Sequence, residues 1–396
     1  MVGKRNKILI LGAGRQQVPL ITAAIEMKLE VHVCSIQGNY PGIEIAPNFH
    51  EVDISDSNAV LELAKHIEID GIITTGTDVC LESIGIVIDY LHLAGTGLES
   101  SKSCLNKTLM KARFSHFNVP TANYVLIESV ESGIEFFNSH SSACVIKPAD
   151  SSGSRGVNRI EMTSEIHPAF IDAQKYSASG EIIIEEWLEG EEFGAQAIII
   201  DGKVEKLMLH SDITTPPPRR IPIGHGCPHP AESELMPKVW SIVEHAVSAL
   251  GINNTISNID FILTEDGPKI IEMTSRMGGT HLPEVCGTFW GIDMYDTALQ
   301  IALGINPQLP SSPLGVPNAI QNLIFDHPGT VASLGETSKE FVWNLYFGVG
   351  DYVTLNAAKQ AELGYVQDTT SDVSSLLQSV TNVAKAFCNT TEFEVD

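Results

Sequence analysis

The chain has 396 residues, 43% of them hydrophobic and 18% charged, which is the composition of a globular protein with two to three domains of roughly 150 residues each. Its 24 basic and 49 acidic residues give a formal net charge of −25, which repels phosphate backbones and argues against a nucleic-acid partner. No apolar run approaches the roughly 18 residues that span a bilayer. The seven cysteines form no C-x-x-C pair, so free thiols in a reducing compartment are favoured, and we expect a cytoplasmic protein without a membrane segment.

Strand and helix patterns alternate along the N-terminal part of the chain. Strands are predicted at residues 7–11, 31–34, 50–54 and 71–74, and helices at residues 15–28, 59–67, 81–90 and 107–117. Such alternation predicts βαβ units and a parallel sheet, whose ligands bind beyond the carboxyl ends of the strands.

After Pro120 the pattern favours antiparallel pairs. Strands are predicted at residues 124–127, 143–147, 182–186, 194–201, 203–210, 258–263, 269–274, 319–325 and 341–345, and helices at residues 240–250 and 373–388. Residues 213–230 contain three consecutive prolines and predict a long loop of the kind that forms a lid or a binding loop.

A glycine pair follows the first strand, where Gly12-Ala13-Gly14 suggests the dinucleotide fingerprint G-x-G-x-x-G. The third glycine is replaced by Gln17, and no acidic residue stands at the ribose position near Cys34. A glycine turn that lets a helix approach the strand is therefore favoured over NAD(P) binding.

A second motif begins at Lys147, where a predicted strand runs into small residues up to Val157. Such a loop can approach phosphate oxygens closely and present successive N–H donors, while the lysine adds positive charge. A plain surface hairpin would also favour serine and glycine. The lysine at the end of a buried strand favours a phosphate site over a surface hairpin.

A third motif is acidic. Asp260 and Glu272 lie in apolar runs on two predicted strands joined by a short turn, so pairing of these strands would set the carboxylates side by side. Adjacent carboxylates repel each other unless a cation lies between them, and oxygen ligands suit Mg²⁺. Arg276 follows four residues later. The alternative is a solvated sheet edge with an ordinary ion pair.

The stretch from His225 to His229 offers two histidines and Cys227 at alternate positions in a proline-rich segment. Their spacing fits a tetrahedral zinc site poorly, and no fourth ligand is close in sequence. Loop histidines that contact substrate are the favoured interpretation.

Taken together, these residues resemble the ATP-grasp superfamily, and most of all its carboxylate–amine (L-amino-acid) ligases, over residues 8 to about 309. The resemblance implies an α/β protein with the ATP-grasp fold. Its expected parts are an N-terminal Rossmann-like parallel-sheet domain (1–118), a small α+β lid domain (119–205), a central α+β domain (206–310) and a C-terminal extension packed on the central domain (311–396).

The resemblance also implies the roles of individual residues. ATP would be bound by Lys107, Lys147, Ser152, Gly153, Ser154, Arg155, Gly156, Glu185, Glu186, Trp187, Leu188 and Glu192. Mg²⁺ or Mn²⁺ would be held by Asp260, Glu272 and Thr274, the last in a position where the family often has asparagine. The carboxylate substrate would contact Arg276, Gly278, Gly279 and His225, with Arg276 as the catalytic residue.

The implied activity is formation of an amide or peptide bond through an acyl phosphate, with small-molecule carboxylate and amine substrates, one of them an amino acid. One alternative is an ATP-grasp carboxylase or synthetase of nucleotide metabolism, whose substrate phosphate would need cations such as Arg219 and Arg220. An NAD(P)-binding protein and a nucleotide sensor form a different class, and the sensor would lack intact metal ligands. A homodimer is the default expectation.

Overall fold

A computed structural model describes residues 5–140, 142–215, 221–356, 360–369 and 373–394. The chain divides into two compact units. The first contains the residues up to Leu207 together with Ser233–Gly279 and Asp293–Leu309, and the second contains Met208–Glu232, Thr280–Ile292 and the residues from Pro310 onward. The finer domain boundaries expected at residues 118, 205 and 310 stay predictions.

The strands follow one another in this order: β1 (Lys7–Leu11), β2 (Glu30–Ser35), β3 (Asn48–Glu51), β4 (Gly71–Ile73), β5 (Tyr124–Ile127), β6 (Cys144–Pro148), β7 (Asn158–Ile160), β8 (Ile182–Glu186), β9 (Glu191–Ile200), β10 (Lys203–Thr214), β11 (Pro222–Cys227), β12 (Thr255–Thr264), β13 (Gly267–Thr274), β14 (Asn318–Phe325), β15 (Gly329–Ser333), β16 (Val342–Leu345), β17 (Tyr352–Val353), β18 (Ala361–Thr369) and β19 (Glu392–Glu394).

The α-helices are α1 (Val18–Glu26), α2 (Pro41–Ile45), α3 (Ser57–Ile67), α4 (Leu81–Leu91), α5 (Leu98–Leu105), α6 (Lys107–His116), α7 (Val130–Ser139), α8 (Ile166–Gln174), α9 (Glu232–Leu250), α10 (Leu282–Trp290), α11 (Met294–Ala302) and α12 (Val373–Thr390). Among the described residues, no helix combines the length and the apolarity that a bilayer crossing needs.

The N-terminal sheet of the first unit is parallel, in the order β3-β2-β1-β4. Its central strand β1 is apolar on both faces because helices cover both. Ile8 and Ile10 pack in the cluster that contains α1 and α11, whereas Leu9 and Leu11 pack in the cluster that contains α3 and α4. A continuous apolar run is what a doubly covered parallel strand requires. This part of the α/β prediction is confirmed.

Two antiparallel arrangements complete the first unit. A small sheet has the order β5-β8-β6-β7, and its apolar face packs on α8 through Phe170. The other arrangement runs in the order β13-β12-β9 and continues to the beginning of β10. Strand β12 lies at its centre and pairs antiparallel with both neighbours, and this pairing places the predicted acidic residues.

In the second unit the end of β10 is followed by β11, β14, β18 and β16, all paired antiparallel, while β15 pairs separately with β17 and β19. Helix α12 contributes Leu376, Val380, Ala384 and Phe387 to the core. The prediction of one loop over residues 213–230 is wrong for residues 222–227, which form β11 between two partner strands. Residues 216–220 of that stretch lie outside the described residues.

Candidate active site

Lys107, the first predicted phosphate lysine, begins helix α6. Asn106 caps the helix by accepting a hydrogen bond from the Leu109 amide at 3.0 Å. The buried Lys107 ammonium donates to the Ser151 carbonyl oxygen at 2.8 Å and lies 3.2 Å from Glu272 Oε1. One cation therefore contacts both the predicted phosphate loop and a predicted metal carboxylate.

Lys147, the second predicted phosphate lysine, belongs to a buried ion network. Its Nζ lies 2.9 Å from Glu185 Oε1, and Lys111 Nζ lies 3.2 Å from the other oxygen of the same carboxylate. Lys111 also donates to Thr121 Oγ1 at 2.8 Å. Burial opposes ionisation of Glu185, yet the two lysines hold its pKa below the ordinary value. The Glu185 side chain thus anchors Lys147.

Sequence reasoning gave Lys111 no role. It follows Lys107 by four residues and so lies on the same helix face, which is the signal that could have found it. Burial lowers the pKa of Lys111 to about 8, although Glu185 acts in the opposite direction.

The predicted phosphate loop is exposed except at Gly156, and three of its residues have a positive φ. Gly153, Ser154 and Gly156 have φ of +69°, +56° and +71°. Arg155 Nε donates back to the Ser152 carbonyl at 3.1 Å. Successive N–H groups in such a backbone form a concave surface that suits anions.

Asp150 anchors this loop. Its carboxylate accepts hydrogen bonds from the Ser177 hydroxyl at 2.9 Å and from the Ala178 and Ser179 amides at 3.3 and 2.6 Å. Burial opposes ionisation of Asp150, but these donors, with Ser179 the largest, keep its pKa below the ordinary value.

The predicted adenine hinge follows β8. The Glu186 amide donates to the Asn123 carbonyl and the Trp187 amide to the Ala143 carbonyl, both at 2.9 Å. Arg159 lies over the Trp187 ring, 4.6 Å from its centroid. Two of the predicted hinge amides are therefore already used within the protein.

The predicted carboxylate pair is cross-strand, because Asp260 and Glu272 are register partners on β12 and β13. Asn258 Nδ2 donates to Asp260 Oδ1 at 3.0 Å, and Gln196 Nε2 donates to Asn258 Oδ1 at 2.6 Å. Glu192, the predicted ribose ligand, lies on the neighbouring strand β9, two residues before Gly194, which is the register partner of Asp260. Two hard oxygen donors beside an ammonium are a set that fits Mg²⁺ next to a polyphosphate.

Arg276 is paired with an acid that sequence reasoning assigned no role, since its Nη2 donates to Asp78 Oδ2 at 2.7 Å. Nη1 donates to the Met277 carbonyl at 3.0 Å, and Nε is buried without a hydrogen-bond partner among the described residues. Thr274, the predicted third metal ligand, donates its hydroxyl to Asp78 at 3.0 Å. Burial opposes ionisation of Asp78, but Arg276 keeps its pKa low.

The predicted substrate glycines are closely packed. The buried Gly278 amide donates to Gln196 Oε1 at 2.9 Å, so it serves the structure of the sheet. A Cβ at Gly279 would collide with the Gln16 amide. His225 lies in the second unit, buried on β11 and not in a loop.

The space beside the Gly12–Gly14 turn is occupied by a side chain of the protein, that of Gln17. The Gln17 side chain lies 3.1 Å from the place of a Cβ at either glycine, and its Nε2 donates to the Thr75 carbonyl. These contacts support the packing interpretation of the glycines.

Comparison with known families identifies one domain, since residues 100–280 match the model of the ATP-grasp domain family. Among curated relatives, the y4rH protein of Sinorhizobium fredii is 26% identical over 73% of this chain and 60% of its own length. Phosphoribosylamine–glycine ligase of Lactococcus lactis is also 26% identical, over 76% of each chain. Human carnosine synthase 1 is 22% identical over 79% of this chain, which spans only 41% of that protein.

Solved structures share the fold. Phosphoribosylglycinamide synthetase from Anaerococcus prevotii superposes with a TM-score of 0.80 at 23% identity, covering 99% of this chain and 100% of that one. The L-amino acid ligase from Bacillus licheniformis superposes with a TM-score of 0.79 at 17% identity and the same coverage.

Proposed function

Because residues 100–280 match the ATP-grasp domain family, we propose that this chain is a ligase that uses ATP and Mg²⁺ to join a small-molecule carboxylate to an amine. The observation that carries the proposal is the position of Lys107. Its ammonium contacts both the loop at Ser151 and the carboxylate of Glu272. A cation held there lies where nucleotide phosphates and a metal carboxylate would meet.

The nucleotide would be held by groups that surround this lysine. Lys147 and the amides of residues 152–156 would bind phosphate oxygens, and Glu192 would bind the ribose. Because the Glu186 and Trp187 amides donate elsewhere, we assign adenine to the Glu186 carbonyl and the Leu188 amide.

Asp260 and Glu272 would hold Mg²⁺ with oxygen ligands. The ion, when bound, supplies positive charge to the phosphate oxygens. The Thr274 hydroxyl donates to Asp78, so we expect water to complete the coordination in preference to Thr274.

The proposed chemistry follows from charge. A carboxylate oxygen of the substrate attacks the γ-phosphorus and ADP leaves, giving an acyl phosphate. The amine then attacks the acyl carbon, loses a proton, and expels inorganic phosphate. Lys107, Lys147 and Arg276 offset the negative charge that opposes the first step, and the Arg276 guanidinium, oriented by Asp78, stabilises the oxyanion of the second.

The substrate class has two candidates. The similarity to human carnosine synthase 1 and to a bacterial L-amino acid ligase supports an amino acid as one substrate. The similarity to phosphoribosylamine–glycine ligase supports equally a synthetase of nucleotide metabolism. Arg219 and Arg220, the cations expected for a substrate phosphate, lie outside the described residues.

A substrate panel distinguishes the two. The purified chain is incubated with ATP, Mg²⁺ and pairs of amino acids, and in parallel with phosphoribosylamine and glycine, or with bicarbonate and an amine. ADP, phosphate and the amide product are quantified together. With one pair of amino acids we expect amide in an amount equal to the ADP and phosphate released. If ADP forms only with phosphoribosylated or bicarbonate substrates, the nucleotide-metabolism alternative replaces this assignment. The homodimer and the cytoplasmic location stay predictions.

A further inference from the structure

The second unit contains a cluster of metal-binding residue types that the proposed ligase chemistry does not use. His210 and Asp212 are two residues apart on β10, so their side chains share one face of the strand. His225 on β11 is the cross-strand register partner of Asp212. Strand pairing therefore brings together three residues whose separation in sequence hides their proximity.

The potential ligand atoms of these residues converge. His210 Nδ1 lies 2.9 Å and His225 Nδ1 lies 2.6 Å from the same atom, Asp212 Oδ1. One ligand atom from each residue lies within 4.8 Å of the other two. In this arrangement each ring donates its Nδ1–H to one shared oxygen. A divalent cation at the centre would replace these two hydrogen bonds, and each neutral ring would then carry its proton on Nε2 and bind the cation through Nδ1.

Burial distinguishes this cluster from a surface group. His210 is fully buried, His225 is 2% exposed and the Asp212 side chain is 12% exposed. The Nε2 atom of His225 is buried and has no hydrogen-bond partner among the described residues.

We propose that His210, Asp212 and His225 bind a divalent transition-metal ion of the zinc class, which links β10 to β11 in the second unit. Two imidazole nitrogens and one carboxylate oxygen suit zinc and its neighbours, whereas Mg²⁺ prefers oxygen ligands alone. A water molecule would complete the coordination. This set shares no residue with the Asp260–Glu272 pair, and the proposal does not depend on ligase activity.

The test is metal binding by the full-length chain. The protein is stripped with a chelator, supplied with excess Mg²⁺, and titrated with Zn²⁺ against a chromogenic zinc chelator. We expect one tight site per chain, a rise in melting temperature on zinc addition, and a Co²⁺ absorption spectrum typical of nitrogen and oxygen ligands. Asp212→Asn, which keeps the shape of the side chain, should weaken zinc binding by about 100-fold or more.

The matched control is His50→Gln. His50, His32 and Glu30 also form a set of two histidines and one carboxylate. His50 and Glu30 contact opposite nitrogens of the His32 ring, so the ligand atoms of this set do not converge on one point. His50→Gln should bind zinc like the wild type. Equal zinc affinity in the wild type and Asp212→Asn would overturn the proposal, as would loss of the site in His50→Gln. If Asp212→Asn does not fold, the wild type alone decides. A melting temperature of the wild type that does not change on zinc addition would overturn the proposal.

Discussion

Arg276 is the residue on which the proposed chemistry depends most, and its ion pair with Asp78 would serve either a catalytic or a structural role. If the guanidinium acts on charge that develops during the reaction, Arg276→Ala should lower turnover by roughly 10²–10³-fold. ATP affinity should change far less, because adenine and ribose are assigned to other groups. Turnover, nucleotide affinity and melting temperature are measured on one sample.

A purely structural Arg276 would give a different pattern. Loss of the Asp78 ion pair would then lower the melting temperature and leave activity per folded molecule near wild type. Arg276→Lys helps to separate the two, because an ammonium lacks the planar two-pronged donor and should restore little turnover. Near-normal turnover in Arg276→Ala would contradict the assignment of Arg276 as the catalytic residue.

Lys111 predicts a pH dependence of stability. Its pKa is about 8 in the folded chain against an ordinary value of 10.5, with burial as the main cause. Between these values the unfolded chain binds more protons, so the free energy of unfolding should rise with pH from about 8 to about 10.5, by roughly 1–3 kcal/mol.

Urea unfolding at pH 8 and pH 10 measures this contribution as the difference between the wild type and Lys111→Met. The difference should grow in favour of the wild type at the higher pH. Lys203→Met, at an exposed lysine, is the control and should show no such change. Equal pH slopes in the wild type and Lys111→Met would contradict the assignment of a buried, ion-paired lysine.

At the scale of elements, the phosphate loop offers a matched pair of glycine substitutions. Both Gly153 and Gly156 have positive φ, which costs a residue with a Cβ roughly 1 kcal/mol. A Cβ at Gly153 meets nothing within 4 Å, whereas one at Gly156 would lie 2.9 Å from Tyr176 Cδ2 and 3.1 Å from Ala173 Cα. Gly156→Ala should therefore reduce ATP affinity and melting temperature much more than Gly153→Ala, as calorimetry can measure. Equal effects of the two substitutions would contradict a packing role for the contacts of Gly156 with Tyr176 and Ala173.

Elements with a clear apolar pattern were predictable. Strands β1, β5 and β8 have the predicted bounds, because each contains a short run of apolar, β-favouring residues. Helix α5 was missed, since its buried side consists of Ser101, Ser103 and Cys104 and shows no apolar stripe. Strand β11 was missed for a related reason: its buried positions are Gly224 to Cys227, which look like loop residues in sequence.

At the scale of the whole molecule, the predictable part of the site was the part that lies close in sequence. The opposed positions of Asp260 and Glu272 follow from one hairpin and are confirmed as register partners. The Arg276–Asp78 pair joins residues 198 positions apart, and no local pattern indicates it. The same holds for His210, Asp212 and His225, which come together only because β10 pairs with β11.

The central claim, an acyl phosphate formed from ATP and a carboxylate, has one direct test. The carboxylate substrate found in the panel is prepared with ¹⁸O in both carboxyl oxygens and allowed to react with ATP and the amine. Because the attacking oxygen stays on phosphorus when the amine expels phosphate, the account predicts one ¹⁸O in each phosphate released, in amounts equal to ADP and amide. Phosphate without ¹⁸O, formed while amide accumulates, would contradict it.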